Sequence, residues 1–419
     1  MPSIEAIAAL LFALALIRTF STSFFERFAQ RHPRHAGLFH LLGEVEVVFG
    51  FWAAVLVAVM AITDGSARAI AYVEARQFTE PLFVFVVMVV AASRPVLLTM
   101  RRLVAVVAAR LPVPAELATV WLCLAALPLL GSLVTEPAAM TLAALMLAPL
   151  IFHERIAEPL KYGALGVLFV NISIGGTLTA YAAPPVLMVA DAWDWSSRFM
   201  LRTFGWKAAL AVLVNATVMS WLLRRHLRTE PTGGAAPGDA ADATDSPLVA
   251  AVHLLFLAAV VALAHYPVMF IGVFLLFLGF THAYSRYQSP LILREALLVG
   301  FFLAGLVVLG GMQQWWLEPI VEGLEPRALF FSALGLTAVT DNAALTYLGS
   351  LIQGLSDEAK YHLVAGAVAG GGLTMIANAP NPAGASLLRQ GFRDASIGPL
   401  GLLLGAALPT AVAAIAFLL

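Results

Sequence analysis

The octet Val-Thr-Glu-Pro-Ala-Ala-Met-Thr at 134–141 returns at 339–346 as Val-Thr-Asp-Asn-Ala-Ala-Leu-Thr, identical at five of eight places and with Asp341 answering Glu136. Both copies lie inside long apolar stretches. A carboxylate at the centre of a membrane helix costs about 2.5–3.5 kcal/mol even on the most lenient insertion scale. Bearing that cost at matching places in two halves of one chain points to an ion site built from two related parts. A second pair follows in the same order. Gly-Gly-Thr-Leu-Thr-Ala-Tyr-Ala-Ala-Pro-Pro at 175–185 lines up with Gly-Gly-Gly-Leu-Thr-Met-Ile-Ala-Asn-Ala-Pro at 370–380. Glycine and proline in mid-run predict interrupted helices. Unwound backbone at membrane depth persists only where protein or a wet cavity satisfies it, and paired interruptions in two halves mark a transporter's binding site.

Composition agrees with a membrane setting. Apolar residues make up 61% of the 419 and charged residues 12%, which excludes an ordinary soluble domain. The formal net charge of −1 gives no reason to expect a nucleic-acid partner. The single cysteine, Cys123, excludes an intrachain disulfide and reads as a small packing residue. The first apolar run carries Glu5 where a signal peptide would be basic, so it reads as a retained span.

Runs of spanning length fall at 4–20, 38–62, 81–100, 161–190 and 206–223, then at 248–265, 267–284, 294–312, 361–388 and 396–418. The acidic octets sit in two further stretches, 115–153 and 327–354, which read as re-entrant helical hairpins. The fold class is therefore an all-α polytopic membrane protein: an inverted repeat of 5+5 transmembrane helices with two hairpins and two discontinuous helices. Its first repeat is 1–228, with hairpin 115–153 and broken helix 161–190. A flexible linker at 229–247, rich in Gly, Ala, Pro and Asp, leads to the second repeat at 248–419, with hairpin 327–354 and broken helix 361–388.

Arginine placement orients the chain. With both termini outside, the cytoplasmic segments hold Arg27, Arg31, Arg34, Arg101, Arg102, Arg110, Arg155, Lys161, Arg224, Arg225, Arg228, Arg286, Arg294, Arg389 and Arg393. The external segments keep fewer basic residues, beside the acidic Glu318, Glu322 and Glu325, which obeys the positive-inside rule. Five spans per half make the halves antiparallel. Residues 103–111, flanked by arginines, read as a short interfacial helix, and Trp315 and Trp316 suit an interface in the other half.

At a hairpin tip one arm ends in free carbonyls, to which Thr135, Thr340, Glu136 and Asp341 add oxygen ligands. Asn342 lies at the second tip. The broken helices offer Asn171, Ser173, Thr177 and Thr179 in one half and Thr374, Asn378 and Asn381 in the other, with Gly175, Gly176, Gly370, Gly371 and Gly372 supplying backbone at the breaks. Hard oxygens without a Cys or His cluster favour sodium or a proton. Na⁺ is placed at Asp341, Thr340, Glu136 and Thr135. No Lys or Arg occurs in 117–154, 162–190, 328–359 or 361–388, so the site prefers a cation to an oxyanion. One carboxylate that holds either Na⁺ or a proton, never both, is the simplest device for exchange, and Asp341 is the favoured carrier.

A plainer account exists for each residue. Glu136 before Pro137, and Asp341 before Asn342, have the pattern of helix N-caps. Thr177, Thr179 and Thr374 suit back-bonding to helix carbonyls, and the glycines suit close helix packing. Glu44 and Glu46 lie near one end of the second span, where a subunit contact or snorkelling accounts for them. Glu80 before Pro81 reads as a cap, and His153, His253 and His265 are too scattered for a metal site. A carboxylate-dyad protease lacks its Gly-x-Gly-Asp signature here, and a cation channel would not explain paired broken helices.

On the residues 131–141, 171–185, 332–346 and 370–384 the chain resembles the ion transporter superfamily, within it the bacterial membrane proteins classed as Na⁺/H⁺ antiporters (NhaD-like). That resemblance implies a homodimer in the inner membrane, each protomer pairing a scaffold with a mobile transport domain in an elevator-like movement. It implies no enzyme activity and no cofactor, with Na⁺ and H⁺ as transported ions, small inorganic cations and the lipid bilayer as partners, and no nucleic acid. The anion symporters of that superfamily carry Ser-Asn-Thr at their tips, whereas this chain has Thr-Glu-Pro and Thr-Asp-Asn. The difference favours cation exchange over the alternative, a sodium-coupled symporter of a small organic or inorganic anion. Hairpin one also lacks the Asp-Asn pair of the NhaD type.

Overall fold

A computed structural model describes residues 3–19, 45–227, 246–316, 319 and 323–419. Every regular element among them is helical. Four helices are individually long and apolar enough to cross a bilayer: Glu158–Leu178, Ser197–Leu223, Leu293–Gly310 and Pro399–Leu418. Two bent pairs and several shorter apolar helices accompany them. The chain is thus a polytopic helical protein whose surface suits lipid.

In the first half, α1 (Ile4–Thr19) and α2 (Val45–Thr63) precede a short α3 (Ser66–Glu74) that sequence periodicity does not signal. The span expected at 81–100 is two helices, α4 (Thr79–Ala91) and α5 (Arg94–Ala108), bent by 65°. Ser93 is extended and Pro95 opens α5, so the ladder cannot run through. The interfacial helix expected at 103–111 is the second half of α5. The hairpin stretch holds α6 (Ala115–Leu124) and α7 (Ala126–Val134), bent by 45°, and α8 (Glu136–Ile151), which packs back along both. Residues 161–190 hold most of α9 (Glu158–Gly175), one 3₁₀ turn, an irregular stretch and α10 (Pro184–Ala190). α11 (Ser197–Leu223) is continuous, with a π turn at Leu201–Gly205.

The second half begins with α12 (Pro247–Ala262), α13 (Pro267–Ala283) and α14 (Leu293–Gly310). Most of the expected linker lies outside the described residues, but Ser246 and Pro247 already cap and open α12. Then come the arms α15 (Pro326–Thr337) and α16 (Asn342–Ser350), the helix α17 (Asp357–Gly370), an irregular stretch, α18 (Asn381–Leu388) and α19 (Pro399–Leu418). Glu44, Glu318 and Glu322 lie outside the described residues, as do the side chains of Glu46 and Glu80.

Among the described residues the buried apolar side chains form two large bodies and a small cluster of Leu329, Ala333, Ile352, Ala359 and Leu363. One gathers α6 to α11 with α17 to α19; the other gathers α1, α2, α4 and α12 to α14. Backbone meets backbone where helices cross without side chains: Gly50 of α2 against Gly305 of α14, and Gly166 of α9 against Gly405 of α19. Val134, Ala138, Ala343, Ala344 and Leu348 from the hairpins, with Leu187 and Met188 of α10, belong to the second body's core. The tips therefore lie against it.

Candidate functional site

The breaks bring both tips to one place. α8 packs on α18, and α16 packs on α10, so the second arm of each hairpin rests on the broken helix of the other half. The tips are built differently. α7 and α8 are joined by Thr135 alone, at φ 119°, a value β-branched residues rarely adopt. The second tip is longer, and Asp341 closes it as the N-cap of α16.

Glu136 is fully buried. Its Oε2 accepts from Asn378 Nδ2 at 2.8 Å, and its Oε1 has no hydrogen-bond partner. Gly176 stands directly against that oxygen; a Cβ there would collide with Oε1. Thr135 Oγ1 and the amide oxygens of Asn342, Asn378 and Asn381 are likewise buried without partners. Asn342 donates from Nδ2 to Ser173 Oγ (3.4 Å) and from its backbone N to Ala377 O (3.1 Å), which ties tip two to the stretch that carries Asn378. Ser173 Oγ in turn donates to Val368 O. Asp341 Oδ1 accepts from Ala343 N (2.8 Å) and Ala344 N (3.2 Å), a cap that stabilises negative charge at the start of α16. A set of neutral oxygens around a carboxylate can bind a hard cation, and burial makes leaving them bare expensive.

Several expected ligands do other work. Asn171 belongs to a separate buried network: its Nδ2 donates to Leu124 O and Val212 O, and its Oδ1 accepts from Asn215, which also reaches Pro409 O. That network satisfies carbonyls at the α6–α7 bend and at the proline inside α19. Thr177 back-bonds to Ile174 O. Thr179 Oγ1 donates to Ser132 O and Thr374 Oγ1 to Ala338 O, equivalent clamps on the ends of the two first arms. Asn381 Nδ2 holds Gly371 O and Thr374 O, the carbonyls freed by its own break. Thr340 lines an apolar cavity. Gly175 and Gly370 admit backbone of α7 and α15, while Gly371 and Gly372 sit against Ser173 and Val170 of α9.

Sequence reasoning misses two residues. Ser132 Oγ donates to Gly175 O (2.6 Å) and accepts from Leu178 N (3.0 Å), bridging the break of the first half. Asn215 completes the Asn171 network. Ser132 is the lone polar residue of α7, and Asn215 is a strongly polar amide in the middle of an apolar helix; those are the available signals. The π turn of α11 also packs on Leu178, beside the break.

A polytopic helical fold with a buried carboxylate at the meeting point of broken helices defines a membrane transporter. From residue 3 to residue 419 the sequence matches the model of a family described as "Putative Na+/H+ antiporter". The chain belongs to that family. Comparison with curated proteins returns no match.

Proposed function

We propose that the protein exchanges Na⁺ (or Li⁺) for H⁺ across the bacterial inner membrane, and that Glu136 is the group over which the two compete. The observation that carries this reading is the environment of Glu136: fully buried, one oxygen held by Asn378, the other unpartnered, with further unpartnered buried oxygens on its chain neighbour Thr135, on Asn378 itself and on Asn342, whose backbone is tied to Ala377 next to Asn378. A buried carboxylate there is neutralised either by a proton or by a small cation, and the neutral oxygens serve the cation. Asp341, half-buried and capped, acts as the fixed anion that completes the charge of the site. This moves the exchanging role from Asp341, favoured by sequence, to Glu136.

Paired packing supports the inverted 5+5 repeat: α8 on α18 answers α16 on α10, and α7 on α9 answers α15 on α17. The two apolar bodies support an elevator, with hairpins and broken helices moving against α1, α2, α4 and α12 to α14. The contact mixes small residues, Ala138, Ala343 and Ala344, with the larger Val134, Leu187, Met188 and Leu348. The reading includes a homodimer, the termini outside and no resident cofactor. Anion symport is disfavoured, because an anion would meet two carboxylates and find the first N–H groups of α16 already bonded to Asp341.

Purified protein in liposomes with a trapped pH dye tests the reading. NaCl or LiCl is expected to evoke proton movement without any organic anion, and KCl to evoke less. Sodium uptake that requires citrate or another anion would overturn it.

A further inference from the structure

The clefts between the arms of the two hairpins are filled differently. At hairpin one, α5 lays Val96, Leu97 and Met100 against Leu127, Val134 and Ala138, and about 10 Å³ of space remains. At hairpin two, the cleft between α15 and α16 is a cavity of about 290 Å³. The repeated octets make these clefts equivalents: Ala344 stands where Ala139 does, and Ser332 where Leu127 does. Leu336, Leu345, Leu348 and Ile352 are among the apolar residues of the second wall, to which Phe12 of α1 and Trp316 also contribute. The polar side chains on this wall are hydroxylic, Ser332 and Thr340, and neither is charged. An apolar cavity of ~150 Å³ stays dry and takes benzene, so one this size and character calls for an apolar occupant.

We propose that this cavity holds one acyl chain of a membrane phospholipid, inserted between the arms of hairpin two. Two observations choose that occupant. In the equivalent cleft, the space is taken by the flexible apolar side chains Leu97 and Met100. The wall is also continuous with the outer apolar surface, because Leu336 belongs to both and is 50% exposed, with Phe331 and Val339 exposed beside it. The chain lies under the tip that carries Asp341, so its presence sets the separation of the arms. The inference does not depend on which ion is carried.

The test uses the full-length protein in vesicles of phosphatidylethanolamine and phosphatidylglycerol with a trace of phospholipid bearing a terminal acyl diazirine. After photolysis, label is expected on Leu345, Leu348 or Ile352 as well as on Leu404 and Leu408 of the outer face of α19. Ser332→Phe fills the cleft and is expected to remove the first set while keeping the second. Ala344→Leu serves if that variant does not fold. Wild-type label confined to Leu404, Leu408 and similar outer positions would overturn the proposal, as would α16 label that neither variant reduces.

Discussion

Glu136 and Asp341 occupy matching places in the repeated octets, yet their surroundings give them different work. Glu136→Gln keeps the shape and the Asn378 contact while removing the exchangeable charge, so sodium-evoked proton movement is expected to vanish in a protein that still elutes as a folded species. Asn378→Ala removes both a donor to the carboxylate and a neutral oxygen. A hydrogen bond to a charged group contributes about 1.5–3 kcal/mol, so the half-saturating Na⁺ concentration is expected to rise ~10- to 100-fold in the liposome assay. The two roles of Asp341 separate by substitution. Asn caps a helix as well as Asp does, whereas Ala costs about 0.5–2 kcal/mol. Asp341→Asn is therefore expected to hold thermal stability and lose cation affinity, and Asp341→Ala to lose both; equal activity in Asp341→Asn and wild type would leave Asp341 a cap alone. Gly176→Ala drives a methyl group into Glu136 Oε1 and is expected to impair exchange well beyond its effect on stability.

At the scale of elements, the breaks depend on side chains that satisfy freed backbone. Ser132 makes two such bonds at the first break, and leaving a buried backbone group unpaired costs about 1–3 kcal/mol. Ser132→Ala is expected to lower the melting temperature and to speed amide hydrogen exchange at 174–180, while α19 exchanges as before. No change in exchange there would mean that the break is held by packing alone. The paired glycines and prolines make the interruptions legible in sequence, because those residues act on the backbone wherever they stand. The bend between α4 and α5 is legible in principle from Ser93, Arg94 and Pro95, but apolar residues on both sides make the stretch read as one span. The clamps of Thr179 and Thr374 are not legible, since a threonine beside a break reads equally well as a ligand.

At the scale of the molecule, the native chain offers a clean test of its topology. Cys123 is buried and is the one cysteine, so an introduced cysteine reports alone. Glu154→Cys and Gln390→Cys are expected to react with an impermeant maleimide only from the cytoplasmic side, and Ala192→Cys and Glu358→Cys only from outside. Labelling of the matching positions Glu154→Cys and Glu358→Cys from one and the same side would refute the inverted arrangement. What the sequence by itself determined is the helical membrane class, the paired octets and the interruptions that follow them: apolar length, charge cost and helix-breaking residues are local properties, written in the chain. Only the tertiary structure decided which polar groups converge. Asn378 meets Glu136 across 242 positions, Asn171 turns away to Asn215, and Thr340 faces an apolar cavity. Those assignments depend on how one half docks on the other, and no local pattern carries that geometry.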